Sequence, residues 1–136
     1  TNNIPKINAD QKLMRIIIQN LISNAIKYSP KNSNITISIA YDSDNIKSAF
    51  EIKVTDHGYG IPSNQKDKIF TKLFRADNVR VLDTEGTGLG LYIVKSILDE
   101  AGGEISFTSV EKKGTTFTVT LPKSGMKQKS GDKTIN

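Results

Sequence analysis

Asn20, Asn24, Lys27 and Tyr28 stand at i, i+4, i+7 and i+8. On a helix they share an arc of roughly 100°, which overlaps the edge of an apolar stripe. A buried amide without a partner costs about 1–3 kcal/mol. Two asparagines there need backbone or loop partners, or a metal ion with its waters and anions. Further along, Phe50, Ile52, Val54 and Asp56 share one strand parity, so a carboxylate stands on the face that otherwise points inward. Burying it unpaired is expensive. An acceptor at that place can take an exocyclic amino hydrogen from a base such as adenine, and Gly58 and Gly60 let the backbone pass close to a ring. On its own, Asp-x-Gly is more often a strand-ending Asx turn. The third segment, Gly86-Thr87-Gly88-Leu89-Gly90-Leu91, opens a helix, where free N–H groups and the helix dipole favour anions such as phosphates. A Rossmann turn looks similar but follows the first strand of a βαβ unit. This one follows a polar loop late in the chain.

The elements that must hold these residues read as follows. A first helix runs from Asp10, a plausible N-cap, to Tyr28, with Leu13, Met14, Ile17, Ile18, Leu21 and Ala25 as its apolar stripe and Ser29-Pro30 as its stop. Ile35, Ile37, Ile39 and Tyr41 alternate with polar or small residues, which predicts a strand with one buried face. Phe50 to Val54 is a second strand. A second helix is expected from a Ser63 cap to about Phe70. Arg75 to Glu85 is polar and aperiodic and reads as a mobile loop. Leu89 to Ala101 is a third helix, ended by Gly102-Gly103. Strands Glu104–Ser109 and Thr115–Leu121 follow, joined around Lys112-Lys113-Gly114. This order suggests an α/β two-layer sandwich, a mixed β-sheet with helices on one face.

The chain has 136 residues, 36% hydrophobic and 24% charged, which fits one ordinary globular domain. It has no cysteine, hence neither a disulfide framework nor a thiolate metal site. No apolar run approaches the ~18–20 residues of a membrane span. The chain begins at Thr1 and reads as a piece of a longer protein. Of the net charge of +5, +3 lies between Lys123 and Asn136. The expected division is a domain over residues 1–122, truncated at its N-terminal edge, and a basic disordered tail over 123–136. No aromatic residues are interleaved with the tail lysines to stack bases, which speaks against nucleic-acid binding.

Asn20-Leu21-Ile22-Ser23-Asn24-Ala25-Ile26-Lys27-Tyr28, Asp56-His57-Gly58-Tyr59-Gly60 with Ile61-Pro62, and Gly86 to Leu91 each carry a weak signal alone. In this order, within about 70 residues, they resemble the N box and glycine motifs of the ATP-binding domain of sensor histidine kinases, in the GHKL superfamily with its Bergerat fold. The resemblance covers about Asp10 to Pro122. It implies that Asn24 would hold Mg²⁺ with Asn20 assisting, and that Lys27 would reach the phosphates. Tyr28 would flank the adenine or ribose, if it is not simply a half-buried core tyrosine. Asp56, with Gly58, Gly60 and Ile61, would bind adenine. Gly86, Thr87, Gly88, Leu89 and Gly90 would cradle phosphates. Ile69 to Arg75 resembles the F box, with Leu73 where an aromatic is usual and Lys72 where Arg is common. Phe70 and Phe74 can equally be core residues. Arg75 would touch phosphate or the partner domain, and 75–85 would act as a lid.

The implied function is the catalytic domain of a two-component histidine kinase. It would bind Mg-ATP and donate the γ-phosphate to a histidine on a separate dimerisation domain, with a response regulator downstream. Asn20, Asn24 and Lys27 would be its catalytic residues. The isolated domain is expected to be cytoplasmic, monomeric and inactive as an autokinase, whether or not its parent is anchored in a membrane. His57, the only histidine, lies within the adenine motif and is not expected to be phosphorylated. A GHKL ATPase would carry Glu where Asn20 stands, and an amide is no general base near neutral pH. An anti-sigma-like serine kinase and a non-catalytic nucleotide-binding module share these motifs and remain alternatives.

Overall fold

Asp10 begins the first helix as the sequence leads one to expect. Its carboxylate accepts from the N–H groups of Lys12 (2.9 Å) and Leu13 (3.2 Å), two donors that the helix itself leaves unpaired. Helix α1 then runs over Gln11–Lys27. Ile17, Leu21 and Ala25, four residues apart, are its buried ridge. In this computed structural model residues 7–71 and 90–126 are described.

The strands are β1 (Thr36–Tyr41), β2 (Phe50–Asp56), β3 (Glu104–Val110) and β4 (Gly114–Leu121). They form one sheet in the order β1-β2-β4-β3. The α/β sandwich is as expected, but every pairing among the described strands is antiparallel, without the parallel pairs of a mixed sheet. Two hairpins, β1–β2 and β3–β4, are joined through the β2–β4 pair, and hairpin partners must run antiparallel. Cross-strand rows set the two faces. Ile52, Val119 and Ile105 form one row and Val54, Phe117 and Phe107 the next, all on the side where the helices lie. The other face carries Glu51, Lys53, Thr55, Thr116, Thr118 and Thr120, exposed or half-buried. Such alternation suits an antiparallel sheet with one wet side.

Helix α2 (Gly90–Ala101) packs beside α1 and over β3, burying Val94, Leu98 and Ala101. It ends as the glycine pair predicts. Gly102 has φ +84° and the Gly103 N–H returns to the Leu98 carbonyl at 2.9 Å, a Schellman closure.

Two further expectations fail. Strand β1 has no buried face: Ile37 and Ile39 are 47% and 51% exposed. Their parity is right, since they pair with Val54 and Ile52. However, β1 is a sheet edge and α1 rests on β2, so the helical layer stops short of it. The second helix is a 3₁₀ helix, Ser63–Lys68, whose cap position is Pro62 with no side-chain bond from Ser63. The Gln65 N–H bonds the Pro62 carbonyl three residues back, which sets the tighter winding. The described chain also continues past Pro122. The Met126 N–H bonds the Asn8 carbonyl at 2.6 Å, and Met126 is buried.

Candidate nucleotide site

The first component of the site is the face of α1 turned toward α2. Asn20 donates its side-chain N–H to the Ile16 carbonyl at 2.7 Å, which fixes the amide orientation. Its Oδ1 is left pointing at the start of α2, where a Cβ on Gly90 would stand 2.8 Å away. Gly90 therefore admits an amide oxygen next to a helix N-terminus. Asn24 lies one turn on, half-buried, and Lys27 is exposed in the last turn. The same helix delivers Tyr28, half-buried, as its C-cap.

The Tyr28 carbonyl joins this helix to the second component. It accepts from the Tyr59 N–H at 3.1 Å. A Cβ on Gly58 would come within 2.0 Å of it and 3.0 Å of an Asp56 oxygen. Gly58 thus lets the loop after β2 lie flat against the end of α1. Asp56 is the last residue of β2 and only 7% exposed. Its carboxylate accepts from the Gly58 N–H at 2.8 Å and from the Thr115 N–H. Burial raises its pKa above the ordinary carboxylate value. The two N–H bonds and the neighbouring His57 pull it back down without cancelling the rise. His57 itself is exposed.

Beyond Gly58 the loop turns onto the β3–β4 hairpin. Gly60 adopts φ +71°, and a Cβ there would strike the Val110 carbonyl at 2.3 Å. The Lys112 N–H reaches the Tyr59 carbonyl at 2.6 Å. Half-buried Ile61 donates its N–H to Ser109 Oγ at 2.9 Å. Lys66, on the 3₁₀ helix, donates to the Ser109 carbonyl at 2.5 Å. Phe70 is a core residue, edge-on to Phe107 and Phe117 at 5.9 and 6.5 Å, so this part of the segment resembling the F box anchors the sheet.

Asn20, Asn24, Lys27, Tyr28, Asp56, Gly58, Gly60, Ile61 and Gly90 are thus carried by segments that meet at α1, the loop after β2 and the start of α2. Arg75, Gly86, Thr87, Gly88 and Leu89, with the lid segment 75–85, lie outside the described residues. Ser109 and Thr115 escaped the sequence reading. Both are polar residues at inward parity, the same signal that singled out Asp56, and the structure buries all three to 7% exposure. The donor set suits a hard cation held mostly by anions and water. Among the described residues no three His, Cys, Asp or Glu side chains gather into a cage. The Asn20 oxygen, by contrast, faces a helix start where phosphates are favoured.

Comparison with known proteins agrees with this geometry. Residues 9–125 match the sequence model of the family described as "Histidine kinase-, DNA gyrase B-, and HSP90-like ATPase". The chain is 41% identical over 116 residues to the sensor histidine kinase WalK of Bacillus subtilis, covering 85% of this chain and 19% of WalK. It is 40% identical over 117 residues to the sensor-like histidine kinase SenX3 of Mycolicibacterium smegmatis, covering 86% of this chain and 29% of SenX3. It therefore spans less than a third of the length of these relatives. Among solved structures, the mycobacterial sensor histidine kinase MprB superposes with a TM-score of 0.75 at 26% identity, covering 90% of this chain and 78% of that one. The catalytic domain of histidine kinase ThkA superposes with a TM-score of 0.69 at 32% identity, covering 86% and 70%. The carboxylate at the end of β2, the amide helix and the glycine-opened α2 sit within the matched residues, and the chain belongs to the histidine kinase-, DNA gyrase B- and HSP90-like ATPase family, as a histidine-kinase-type ATP-binding domain.

Proposed function

We propose that this domain binds Mg-ATP and presents the γ-phosphate to a histidine on a separate dimerisation domain of its parent protein, with a response regulator as the later acceptor. The observation that carries the reading is the buried Asp56 carboxylate, held by two backbone N–H groups beside the end of the amide-bearing helix. Asp56 takes the exocyclic amino hydrogen of adenine, and the Gly58–Ile61 backbone lines the ring. Tyr28 closes the adenine or ribose side. Lys27 supplies a mobile point charge for the phosphates, and the start of α2 at Gly90 supplies N–H donors. Gly86, Thr87, Gly88, Leu89 and Arg75 complete the phosphate side in this proposal. Asn24 would hold Mg²⁺ with Asn20 beside it, and the ion would neutralise phosphate charge. Catalysis then rests on positioning and charge stabilisation.

Asn20 favours phosphoryl transfer over hydrolysis. Its amide is committed to the Ile16 carbonyl and offers no base to activate water. The histidine acceptor lies on another domain in this proposal, so the isolated chain is a monomer without autokinase activity. Nucleic acid is not a partner, and the domain works in the cytoplasm. Among the described residues no helix is long and apolar enough to cross a membrane.

Calorimetric titration with a non-hydrolysable ATP analogue tests the site. Mg²⁺ should strengthen binding, and Asp56→Asn should weaken it by about tenfold or more, since an amide N–H₂ can face the adenine amino group. No binding at millimolar analogue would overturn the reading. Steady phosphate release from ATP would instead favour the hydrolase alternative.

A further inference from the structure

Asp56, Thr115 and Ser109 form the terminal row of the helix-facing side of the sheet. Asp56 pairs with Thr115 across β2–β4, and Thr115 pairs with Ser109 across β4–β3. The two rows behind it are wholly apolar. All three side chains are 7% exposed, and they are the only polar side chains buried to that degree among the described residues. The row is bonded throughout. Ser109 Oγ accepts from the Ile61 N–H (2.9 Å), lies 2.8 Å from Thr115 Oγ1 and reaches the Gly114 carbonyl at 3.1 Å. A hydroxyl has one donor and two acceptor sites. With Thr115 donating to Ser109 and Ser109 to Gly114, every site on Ser109 is used. The Thr115 N–H meanwhile holds the Asp56 carboxylate.

Two groups on the proposed adenine site are thereby tied to one another through the sheet. One is the Asp56 acceptor, the other the Gly60–Ile61 backbone. The loop is held to α1 by the Tyr59 N–H on the Tyr28 carbonyl and to the hairpin by the Lys112 N–H and the close fit of Gly60 on Val110, while the Ser109 bond is the one that holds the Ile61 N–H.

We propose that Ser109 is a positioning residue for base recognition, holding the Ile61 backbone at a fixed distance from the Asp56 carboxylate and so setting the preference for a 6-amino over a 6-oxo purine. This inference rests on the adenine-site reading. Ser109 contacts no base itself. It acts through the Ile61 N–H, which would otherwise be left without an acceptor in a half-buried place.

The test uses the full chain and two probes, the β,γ-imido triphosphates of adenosine and of inosine. Ser109→Ala should weaken the adenosine analogue about tenfold while changing the inosine analogue less than about twofold, so that discrimination narrows. Amide hydrogen exchange should speed up at Ile61 in the same variant, with core amides such as Val119 unchanged. Ser109→Thr, which keeps the hydroxyl, should restore both. Ser109→Cys, near in volume but a poor acceptor, should behave as the alanine variant and serves in its place if alanine does not fold. Equal weakening of both analogues, or unaltered discrimination with normal wild-type binding, overturns the inference alone. Failure of the wild type to bind either analogue overturns the adenine-site reading with it.

Discussion

Asp56 shows how one carboxylate can link nucleotide affinity to pH. Burial raises its pKa despite the Gly58 and Thr115 N–H bonds. Between the ordinary carboxylate value and the raised one, the folded chain binds more protons than the unfolded chain. Its contribution to stability is therefore complete below the unfolded value and is lost as pH rises through the folded one. The proposed ligand has the opposite preference, because the adenine amino group is best met by the ionised acceptor. Nucleotide affinity should thus fall as pH drops through the raised value, and Asp56→Asn should flatten both profiles. Chemical denaturation and calorimetry across mildly acid pH measure the two together. The glycines make a sharper contrast. A methyl at Gly58 meets the Tyr28 backbone carbonyl at 2.0 Å, which cannot swing away. Gly58→Ala should destabilise the fold by about 1–3 kcal/mol. A methyl at Gly90 meets only the far end of the Asn20 side chain. Gly90→Ala should leave the melting temperature nearly unchanged and weaken Mg²⁺-dependent binding as Asn20 turns aside. Equal melting temperatures for the two variants would contradict this account.

Among the elements, α1 was readable almost to the residue, because both ends carry local chemistry. Asp10 satisfies the first N–H groups and Ser29-Pro30 forbids continuation. The end of α2 was readable for the same kind of reason, since Gly102 can take a positive φ. Strand β1 was readable as a strand and misread as half-buried. Alternation tells which residues share a face, whereas coverage of that face depends on how far the helical layer extends. Helix-like residues after Pro62 concealed a 3₁₀ turn, because three- and four-residue spacings differ little over six residues. Asp56 was legible because a charge interrupts an apolar parity. Ser109 and Thr115 interrupt the same parity more softly, as hydroxyls common in strands, and their meaning appears only once β3, β4 and β2 are in register. A substitution pair tests the difference in coverage. Ile52→Ala, at a residue 8% exposed, should cost about 2–5 kcal/mol, while Ile39→Ala, directly across from it, should cost less than about 1 kcal/mol. Comparable losses in denaturant unfolding would mean that β1 is covered after all.

Taken whole, the molecule assembles the proposed site from segments distant in sequence. Asn20 to Tyr28, Asp56 to Ile61, Gly90 and the β3–β4 hairpin converge only when β2 has paired with β4, joining residues 50–56 to 115–121. Long-range pairing of this kind folds slowly relative to helical bundles. The Asn8–Met126 bond adds a different kind of freedom. Asn8 and Met126 thus lie side by side in the described chain, so a permuted order of the elements can keep their arrangement. A circular permutant that joins Asn8 to Met126 through a short flexible linker and opens at Asp44, in the exposed turn between β1 and β2, preserves every strand pairing described above. Such a chain should reach the same sheet with β2 made first and β1 last, the β1–β2 pair now closing across the whole chain, and nucleotide titration would report whether the site tolerates a new beginning.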